Sequence, residues 1–485
     1  MLGPLFLVAQ GGCHTPDPPG PADFREELLD PENCATCHPQ HYEEWRGSMH
    51  AYAAADPVFV ALNARGQRET NGELGDFCVS CHAPLAVELG LTEDGLNLDQ
   101  VPDHLEGVTC YFCHNVDAVE GLHNNPLRLA MDGIMRGSIA DPVENSFHGS
   151  TASDLHDGRD PRSSDMCGTC HDIETPNGAH IERTYLEWRE SLFNAVNPST
   201  GFPESFAARC STCHMGPAEE EVAIAEMGPA TRDRHPHYMA GIDLTVDDFP
   251  NAVDADELRE TQRYEMETQR RNVVCSSLCV QPNDAGAEIT VWLHNEGAGH
   301  NWPSGATADR RAWVALEAFA GAPETSIYAS GIVDAETPIV DVADDDLWLF
   351  RDRLFDADGK ETHLFWEAAS YEANSLEIPE DIGSLFDSTT WVSRRYQLPA
   401  MPERIESVLK IRPIGLDILD DLIASGDLDP DLRANFPTFE IPPTKLSWPY
   451  VEIPDDPTPP WTGEVDGYGS CISLTATCRA PELRD

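Results

Sequence analysis

A cysteine and histidine pattern, CxxCH, recurs through the first half of the chain. It occurs five times, at Cys34–His38, Cys78–His82, Cys110–His114, Cys167–His171 and Cys210–His214. In such a segment the two thiols can each add across a vinyl group of a haem, while the next imidazole binds the iron from one face. The sequence therefore predicts five covalently attached c-type haems.

Each copy supplies two attachment residues and one iron ligand. The predicted attachment residues are Cys34, Cys37, Cys78, Cys81, Cys110, Cys113, Cys167, Cys170, Cys210 and Cys213, and the predicted ligands are His38, His82, His114, His171 and His214. Structural zinc and disulfides are the alternative uses of paired cysteines. Zinc ribbons take two CxxC pairs per metal, so five pairs leave one unmatched, and neither alternative requires a histidine after every pair.

The composition is strongly acidic. The chain has 31 lysines and arginines against 85 aspartates and glutamates, a formal net charge of -54. Such a surface repels nucleic acid phosphates and anionic lipid headgroups, which argues against both as partners. It suits a cationic redox partner, or it serves only to keep the protein in solution.

The amino terminus has features of an export signal. Met1–Val8 is apolar but short and has no basic residue, so it is a poor membrane span and an incomplete signal. Gly11, Gly12 and Cys13 resemble the lipid-attachment site of a bacterial lipoprotein, although Gln10 departs from that pattern; an ordinary signal remnant is the alternative. Since bacteria attach c-type haem outside the cytoplasmic membrane, we predict a periplasmic or surface protein, with residues 1–29 as signal and lipid-anchored tether.

The elements that position the motifs are predicted to form one domain over residues 30–250. No segment between consecutive motifs is long enough for an independent domain. The stretch is rich in Gly, Pro, Asp and Asn and has few periodic segments, so haems rather than side chains are expected to fill most of its core. We expect an α plus irregular multihaem cytochrome domain.

An internal repeat follows two of the motifs. Its first copy contains Tyr42, Glu44, Trp45, Arg46 and Ser48, and its second contains Tyr185, Glu187, Trp188, Arg189 and Ser191. The first copy carries His50 where the second has Phe193. One copy can therefore offer a second iron ligand and the other cannot.

The second half of the chain has a different character. Residues 251–272 are predicted as a connecting helix, capped by Asp254, with an apolar face limited to Leu258, Tyr264 and Met266. Alternating apolar residues over 273–453 predict an all-β, sandwich-like domain of about seven or eight strands.

Two further features belong to this half. A helix that starts at Pro413 and stops at Gly426 is predicted to interrupt the strands. Residues 454–485 form a proline-rich tail. Cys275, Cys279, Cys471 and Cys478 lie outside the haem motifs, and in an oxidising compartment they are expected to form two disulfides whose pairing is open.

Several local motifs resemble the multihaem c-type cytochrome family that includes the tetrahaem electron acceptor of hydroxylamine oxidoreductase. The resemblance covers about residues 30–245 and rests on Cys34–His38 with Trp45, Ser48 and His50, on Gly107, Val108 and Thr109 before Cys110, on Cys167–His171 with Glu182, Arg183, Thr184, Tyr185 and Trp188, and on Cys210–Met215. It implies haems that are mostly six-coordinate and pass electrons, with the protein supplying ligands and spacing.

The far faces of the irons require a second set of ligands. The resemblance implies His50, and one of His235 and His237, as ligands. His148 and His123 are further candidates from their positions in the chain. Two histidines on one iron predict low potentials; methionines such as Met239 or Met215 would raise them.

His300 has two interpretations. It lies in a glycine-rich stretch with Gly297, Gly299 and Gly305, which can simply build a tight turn. Alternatively, the glycines let the backbone approach a haem edge closely, and His300 crosses from the β domain to bind iron. We favour the second interpretation.

Three classes of function fit these features. The first is electron transfer through five haems, since haems, spare ligands and a tether are all visible. The second is a multihaem oxidoreductase that acts on a small nitrogen or sulfur compound at one haem with an open face. The third is a haem-filament or docking subunit. An optical spectrum with ligand addition distinguishes them.

Overall fold

The structure is a computed structural model that describes residues 24–195, 207–216, 219–226, 228, 231–249, 252–378 and 391–449. The predicted export signal and the proline-rich tail, with Cys13, Cys471 and Cys478, lie outside these residues. The lipid anchor and the disulfides therefore stay predictions. None of the described helices combines the length and apolar character needed to cross a membrane.

The helices are short and lie mainly in the first half. Within the described residues they are α1 (Pro31–Ala35), α2 (Pro39–Arg46), α3 (Met49–Tyr52), α4 (Pro57–Glu69), α5 (Val79–His82), α6 (Pro84–Glu88), α7 (Cys110–Asn115), α8 (Ser163–Gly168), α9 (Thr184–Glu190), α10 (Cys210–His214), α11 (Ala255–Gln269) and α12 (Leu416–Ala424). Proline begins α1, α2, α4 and α6, where its missing N–H costs no helical hydrogen bond.

The described residues of the first half also form four small two-stranded sheets among its helices. Their strands are β1 (Val116–Val119), β2 (Leu127–Leu129), β3 (Ile134–Gly137), β4 (Gly149–Ala152), β5 (Ile173–Glu174), β6 (His180–Glu182), β7 (Glu219–Ala223) and β8 (Thr231–Arg234). Each pair joins strands that are neighbours in the chain, so these sheets order the loops between the motifs. The predicted α plus irregular character of this half agrees with the structure.

The second half is built from longer strands. They are β9 (Val274–Asn283), β10 (Gly286–Asn295), β11 (Arg311–Ala320), β12 (Thr325–Ser330), β13 (Leu349–Phe350), β14 (Arg353–Phe355), β15 (Glu361–Thr362), β16 (Ser370–Glu372), β17 (Val392–Leu398), β18 (Arg404–Arg412), β19 (Phe439–Glu440) and β20 (Leu446–Trp448). One sheet has the order β17-β10-β9 and a second has β12-β11-β18-β19, with β13 beside β11 and β20 beside β18.

Alternation of side chains places the core between these strands. Ile289 and Val291 of β10 share one buried cluster with Val314 and Leu316 of β11 and Leu409 of β18. Successive side chains of a strand point to opposite faces, so every second residue reaches the core. The predicted β character of this half is confirmed, but its described residues form twelve strands rather than seven or eight, because several short strands without an alternating pattern were not visible in the sequence. The sandwich-like arrangement of the domain stays a prediction.

The connecting helix α11 packs more firmly than its sequence suggested. Its buried residues are Leu258, Gln262 and Met266, which follow each other at the four-residue spacing of one helix face. The prediction was wrong for Tyr264, whose exposed fraction is 63%, because its position lies off that face. Leu258 packs with Tyr52, which attaches α11 to the first half.

Helix α12 joins the β-rich half to the first half. It begins after Gly415 rather than at Pro413, and its Leu419 and Leu422 share a buried cluster with Val58 and Ala61 of α4. Burying apolar surface on both helices stabilises this contact. The β-rich half is thereby held against the helix that leads toward the Cys78–His82 motif.

Candidate haem-binding centre

Each CxxCH motif, named after its histidine, forms a single helical turn. The backbone N–H of His38 donates to the Cys34 carbonyl at 2.7 Å, and the N–H of His171 donates to the Cys167 carbonyl at 3.3 Å. Residues three apart on a helix lie side by side, so one turn presents both thiols on the same side, with the histidine one residue further on. This is the local geometry that attachment to one planar group requires.

All five motif histidines use the Nδ1 side of the ring to contact the protein. In four of them Nδ1–H donates to a backbone carbonyl: Ile224 for His38 (2.8 Å), Ala53 for His82 (2.8 Å), Arg136 for His114 (2.6 Å) and Ala240 for His214 (2.7 Å). His171 instead faces the carboxylate of Glu182 at 3.4 Å. Such contacts orient metal-binding histidines and leave Nε2 for the metal.

Four motif histidines face a second histidine. The ring centroids are 6.4 Å apart for His38 and His148, 6.3 Å for His171 and His50, 6.2 Å for His114 and His237, and 6.4 Å for His214 and His300. An iron bonded to Nε2 on both faces, at about 2 Å per imidazole–metal bond, separates the ring centroids by about 6.3 Å. The side chains present therefore fit haem iron with two histidine ligands.

The second histidines are oriented in the same way as the first. Their Nδ1 atoms contact Gly149 O for His148 (2.9 Å), Met239 Sδ for His50 (2.9 Å), His235 O for His237 (2.9 Å) and Asn301 O for His300 (2.8 Å). Burial is the largest cause that lowers the pKa of His50 and His237 to about 3 and of His300 to about 4. These imidazoles are therefore neutral at physiological pH, as metal binding requires.

His82 is arranged differently from the other motif histidines. Its ring stacks on Phe59 of α4, with centroids 4.0 Å apart and an angle of 3° between the planes. Among the described residues, no second imidazole makes a ring contact with His82. Phe59 lies against the flat side of the imidazole, so it orients the ring without covering Nε2.

The structure separates the remaining candidate ligands. His237 faces His114, whereas His235 contacts the Gly216 carbonyl at 3.3 Å. His123 is not brought to a motif histidine: it lies at the surface, 3.4 Å from Glu174. The turn after His123 explains its position, because Asn124 and Asn125 have positive φ and donate to the 169–172 backbone.

One neighbour of His114 was not identified from the sequence. The His156 ring lies 5.6 Å from the His114 ring, with an angle of 18° between the planes. Its Nε2 contacts the Cys113 carbonyl at 2.8 Å, so this nitrogen is engaged with the backbone. In His156 the unbonded nitrogen is Nδ1, whereas His237 has Nδ1 held by the His235 carbonyl, as in the other histidine pairs, which makes His237 the better partner for His114.

The two copies of the internal repeat make the same tryptophan contact. The indole N–H of Trp45 donates to the Val108 carbonyl at 2.8 Å, and that of Trp188 donates to the Ala208 carbonyl at 2.8 Å. Both acceptors lie two residues before a motif, that of His114 and that of His214 respectively. Each repeat therefore anchors the chain that leads into a following motif.

The glutamates of the repeat are also equivalent. The Glu44 carboxylate accepts from the backbone N–H of His237 at 2.8 Å, and the Glu187 carboxylate accepts from that of Asn301, next to His300, at 3.2 Å. Each glutamate thus holds the segment that carries a second histidine. These positioning roles were missed from the sequence, although the repeated glutamate was visible there.

The second copy of the repeat, which has Phe193 in place of His50, contacts a histidine-bearing loop of the β-rich half. Phe193 offers no ligand, but Ser191, whose hydroxyl donates to the Trp188 carbonyl at 2.8 Å, also lies 3.4 Å from the Gly299 carbonyl. Together with Glu187, Ser191 fixes both ends of the short loop that carries His300. The β-rich half therefore supplies the histidine that the repeat lacks.

Thiol contacts show which motifs are neighbours. Cys34 lies beside Cys110, Cys81 beside Cys170 and Cys210 beside Cys167, and in each pair the interaction with the second thiol is the largest cause that lowers the pKa of the first. Cys113 also interacts electrostatically with Cys167 and Cys170. The His171 motif is therefore a neighbour of the His82, His114 and His214 motifs, and we call it the junction motif.

Comparison with known proteins agrees with this geometry. Residues 33–115 match the family model described as cytochrome c554 and c-prime. The crystal structure of a penta-heme cytochrome c552 from Thermochromatium tepidum is similar in fold, with a TM-score of 0.57 and 19% sequence identity over 86% of this chain and 98% of that chain. The chain matches no curated protein. The chain is thus similar to the cytochrome c554 and c-prime family over residues 33–115 and to a penta-heme cytochrome in its fold.

Proposed function

We propose that the protein is an exported electron-transfer cytochrome with five covalently attached haems, four of them bound by two histidines. The observation that carries the proposal is the set of four histidine pairs at 6.2 to 6.4 Å, with both Nδ1 atoms of each pair engaged. The relation to the tetrahaem partner of hydroxylamine oxidoreductase, which the local motifs indicate, belongs to the same proposal.

Different residues of the chain would attach the haems and bind their irons. The haems would supply reversible one-electron chemistry. The ten motif cysteines fix their positions, and the histidine pairs favour low potentials because neither ligand is a methionine. Contacts between motifs leave none of them isolated, as electron transfer over short distances requires. The net charge of -54 favours a cationic redox partner, and the periplasm or the cell surface is the compartment where haem attachment and such a partner would both be found.

The haem content and spin state test this proposal. We expect five haems per chain in a pyridine haemochrome assay, matched by the mass of the intact protein, and an oxidised spectrum dominated by low-spin haem. Mass spectrometry of peptides should find haem on all ten motif cysteines. Fewer than five haems, or spectra in which high-spin haem predominates, would contradict the proposal.

A second function is favoured by the arrangement at His82. Four motif histidines face another imidazole, while His82 faces none among the described residues and stacks on Phe59 instead. A motif histidine without an opposing ligand leaves one coordination position for a small molecule. We therefore propose, as the second candidate, an oxidoreductase that acts on a small nitrogen or sulfur compound at the His82 motif.

Ligand addition distinguishes the two candidates. Carbon monoxide added to the fully reduced protein is expected to bind one haem in five, giving a difference spectrum with that stoichiometry. Nitrite or hydroxylamine should then be turned over with a reduced dye as electron donor. If carbon monoxide binds no haem, the enzyme candidate fails and the electron-transfer proposal stands.

A further inference from the structure

The hairpin that follows the junction motif brings a carboxylate back to its histidine. Strands β5 and β6 pair antiparallel, with Ile173 opposite Glu182. The turn is closed by hydrogen bonds between Thr175, Gly178 and Ala179, and at the open end of the hairpin the Asp172 carboxylate accepts from the Leu186 N–H at 3.0 Å. As a result Glu182, with a side chain 13% exposed, points its Oε1 to Nδ1 of His171 at 3.4 Å. The contact follows directly from the register of the hairpin.

This contact is chemically different from those of the other motif histidines. The other four donate to neutral backbone carbonyls. A carboxylate acceptor draws the Nδ1 proton more strongly, makes the imidazole a more basic ligand, and so favours the oxidised, more positive iron. Within the described ranges no lysine or arginine forms an ion pair with Glu182. Arg310, the buried arginine that it interacts with electrostatically, is bound by Asp243 at 2.9 Å.

We propose that Glu182 sets the reduction potential of the haem at the junction motif below those of the other haems with two histidine ligands. The inference rests on the proposed electron-transfer function and specifies one of its parameters. Because the junction motif is a neighbour of the His82, His114 and His214 motifs, electrons that pass between these motifs through its haem meet the lowest potential there. Glu182 thereby controls how readily electrons pass between them.

The test is redox titration of the holoprotein with Glu182→Gln. The amide keeps an oxygen acceptor for Nδ1–H but removes the charge, so the midpoint potential of the junction haem should move upward the most, with a smaller upward shift at the His82 motif, whose histidine also interacts electrostatically with Glu182. Electron paramagnetic resonance identifies the haem that moves the most. The His50 and His171 rings are at 58°, against 12° to 31° in the other pairs, which gives the junction haem its own low-spin signal.

Glu174→Gln is the matched control. Glu174 lies in the same hairpin and contacts His123, which faces no motif histidine, at the same distance of 3.4 Å. We expect its five potentials to equal those of the unaltered protein. Unchanged potentials in Glu182→Gln, or the same shift in both variants, would overturn the inference. A haem content below five in the unaltered protein would instead overturn the proposed function.

Discussion

Replacing His300 with alanine is expected to convert one of the five proposed haems from low-spin to high-spin. The His300 ring lies 6.4 Å from that of His214 with an angle of 12° between the planes, and its Nδ1 is held by the Asn301 carbonyl. Removing the imidazole leaves the iron at the His214 motif with one protein ligand. About one fifth of the oxidised absorbance should acquire high-spin character, and a high-spin resonance should appear.

Two further samples separate loss of a ligand from loss of folding. Free imidazole added to His300→Ala should enter the space left by the side chain and restore the low-spin spectrum. His363→Ala provides the control, because His363 also lies in the β-rich half but contacts Asp421 at 2.8 Å rather than a motif histidine; its spectrum should not change. A His300→Ala protein with five low-spin haems would show that His300 is not a ligand.

The second large effect concerns the folding stability of the first half. Glu44 and Arg234 form an ion pair at 2.8 Å with side chains only 3% and 1% exposed, and Glu44 also holds the N–H of His237. Glu44→Ala leaves a buried guanidinium without this carboxylate. Breaking a buried pair from one side costs about 3–5 kcal/mol, so the free energy of unfolding should fall by about that amount, measured by guanidinium denaturation followed by circular dichroism.

The neighbouring residue offers the matched control. Glu43 forms an ion pair with Arg46 on the same helix, but its side chain is 56% exposed. Water screens such a pair, so Glu43→Ala should cost less than about 1 kcal/mol. Glu44→Gln, which keeps an oxygen acceptor for the His237 N–H, should retain the low-spin spectrum at the His114 motif. Equal stability of the Glu43 and Glu44 variants would refute the role assigned to the buried pair.

The haem motifs, the strands and the candidate ligands could be predicted from the sequence, but which histidine faces which motif could not. The five motifs are visible because their residues are adjacent, and the alternation along β10 and β11 is visible because a strand repeats every two residues. The candidates named from the sequence include all four histidines that face a motif histidine: His50, His148, His237 and His300. Which motif each one serves depends on contacts between distant segments, and these have no local signal.

The predictions that differ from the structure also depend on contacts that the local sequence does not show. His123 is a candidate from its position after Gly121, but the turn at Asn124 directs its ring to the surface and to Glu174. Tyr264 is apolar enough for a core, yet it lies off the helix face that Gln262 and its neighbours bury. The roles of Glu44 and Glu187 require their long-range backbone partners. A repeated residue signals importance without revealing its partner.

The origin of His300 in the β-rich half has a consequence for how the protein matures. If the chain is exported from its amino terminus as proposed, the His214 motif would reach the haem attachment machinery before the segment around His300 does. A haem at this motif would then have a single protein ligand until Glu187 and Ser191 contact the loop at Gly299 to Asn301. We therefore expect completion of this site to be a late step of biogenesis that depends on folding of the carboxyl-terminal half.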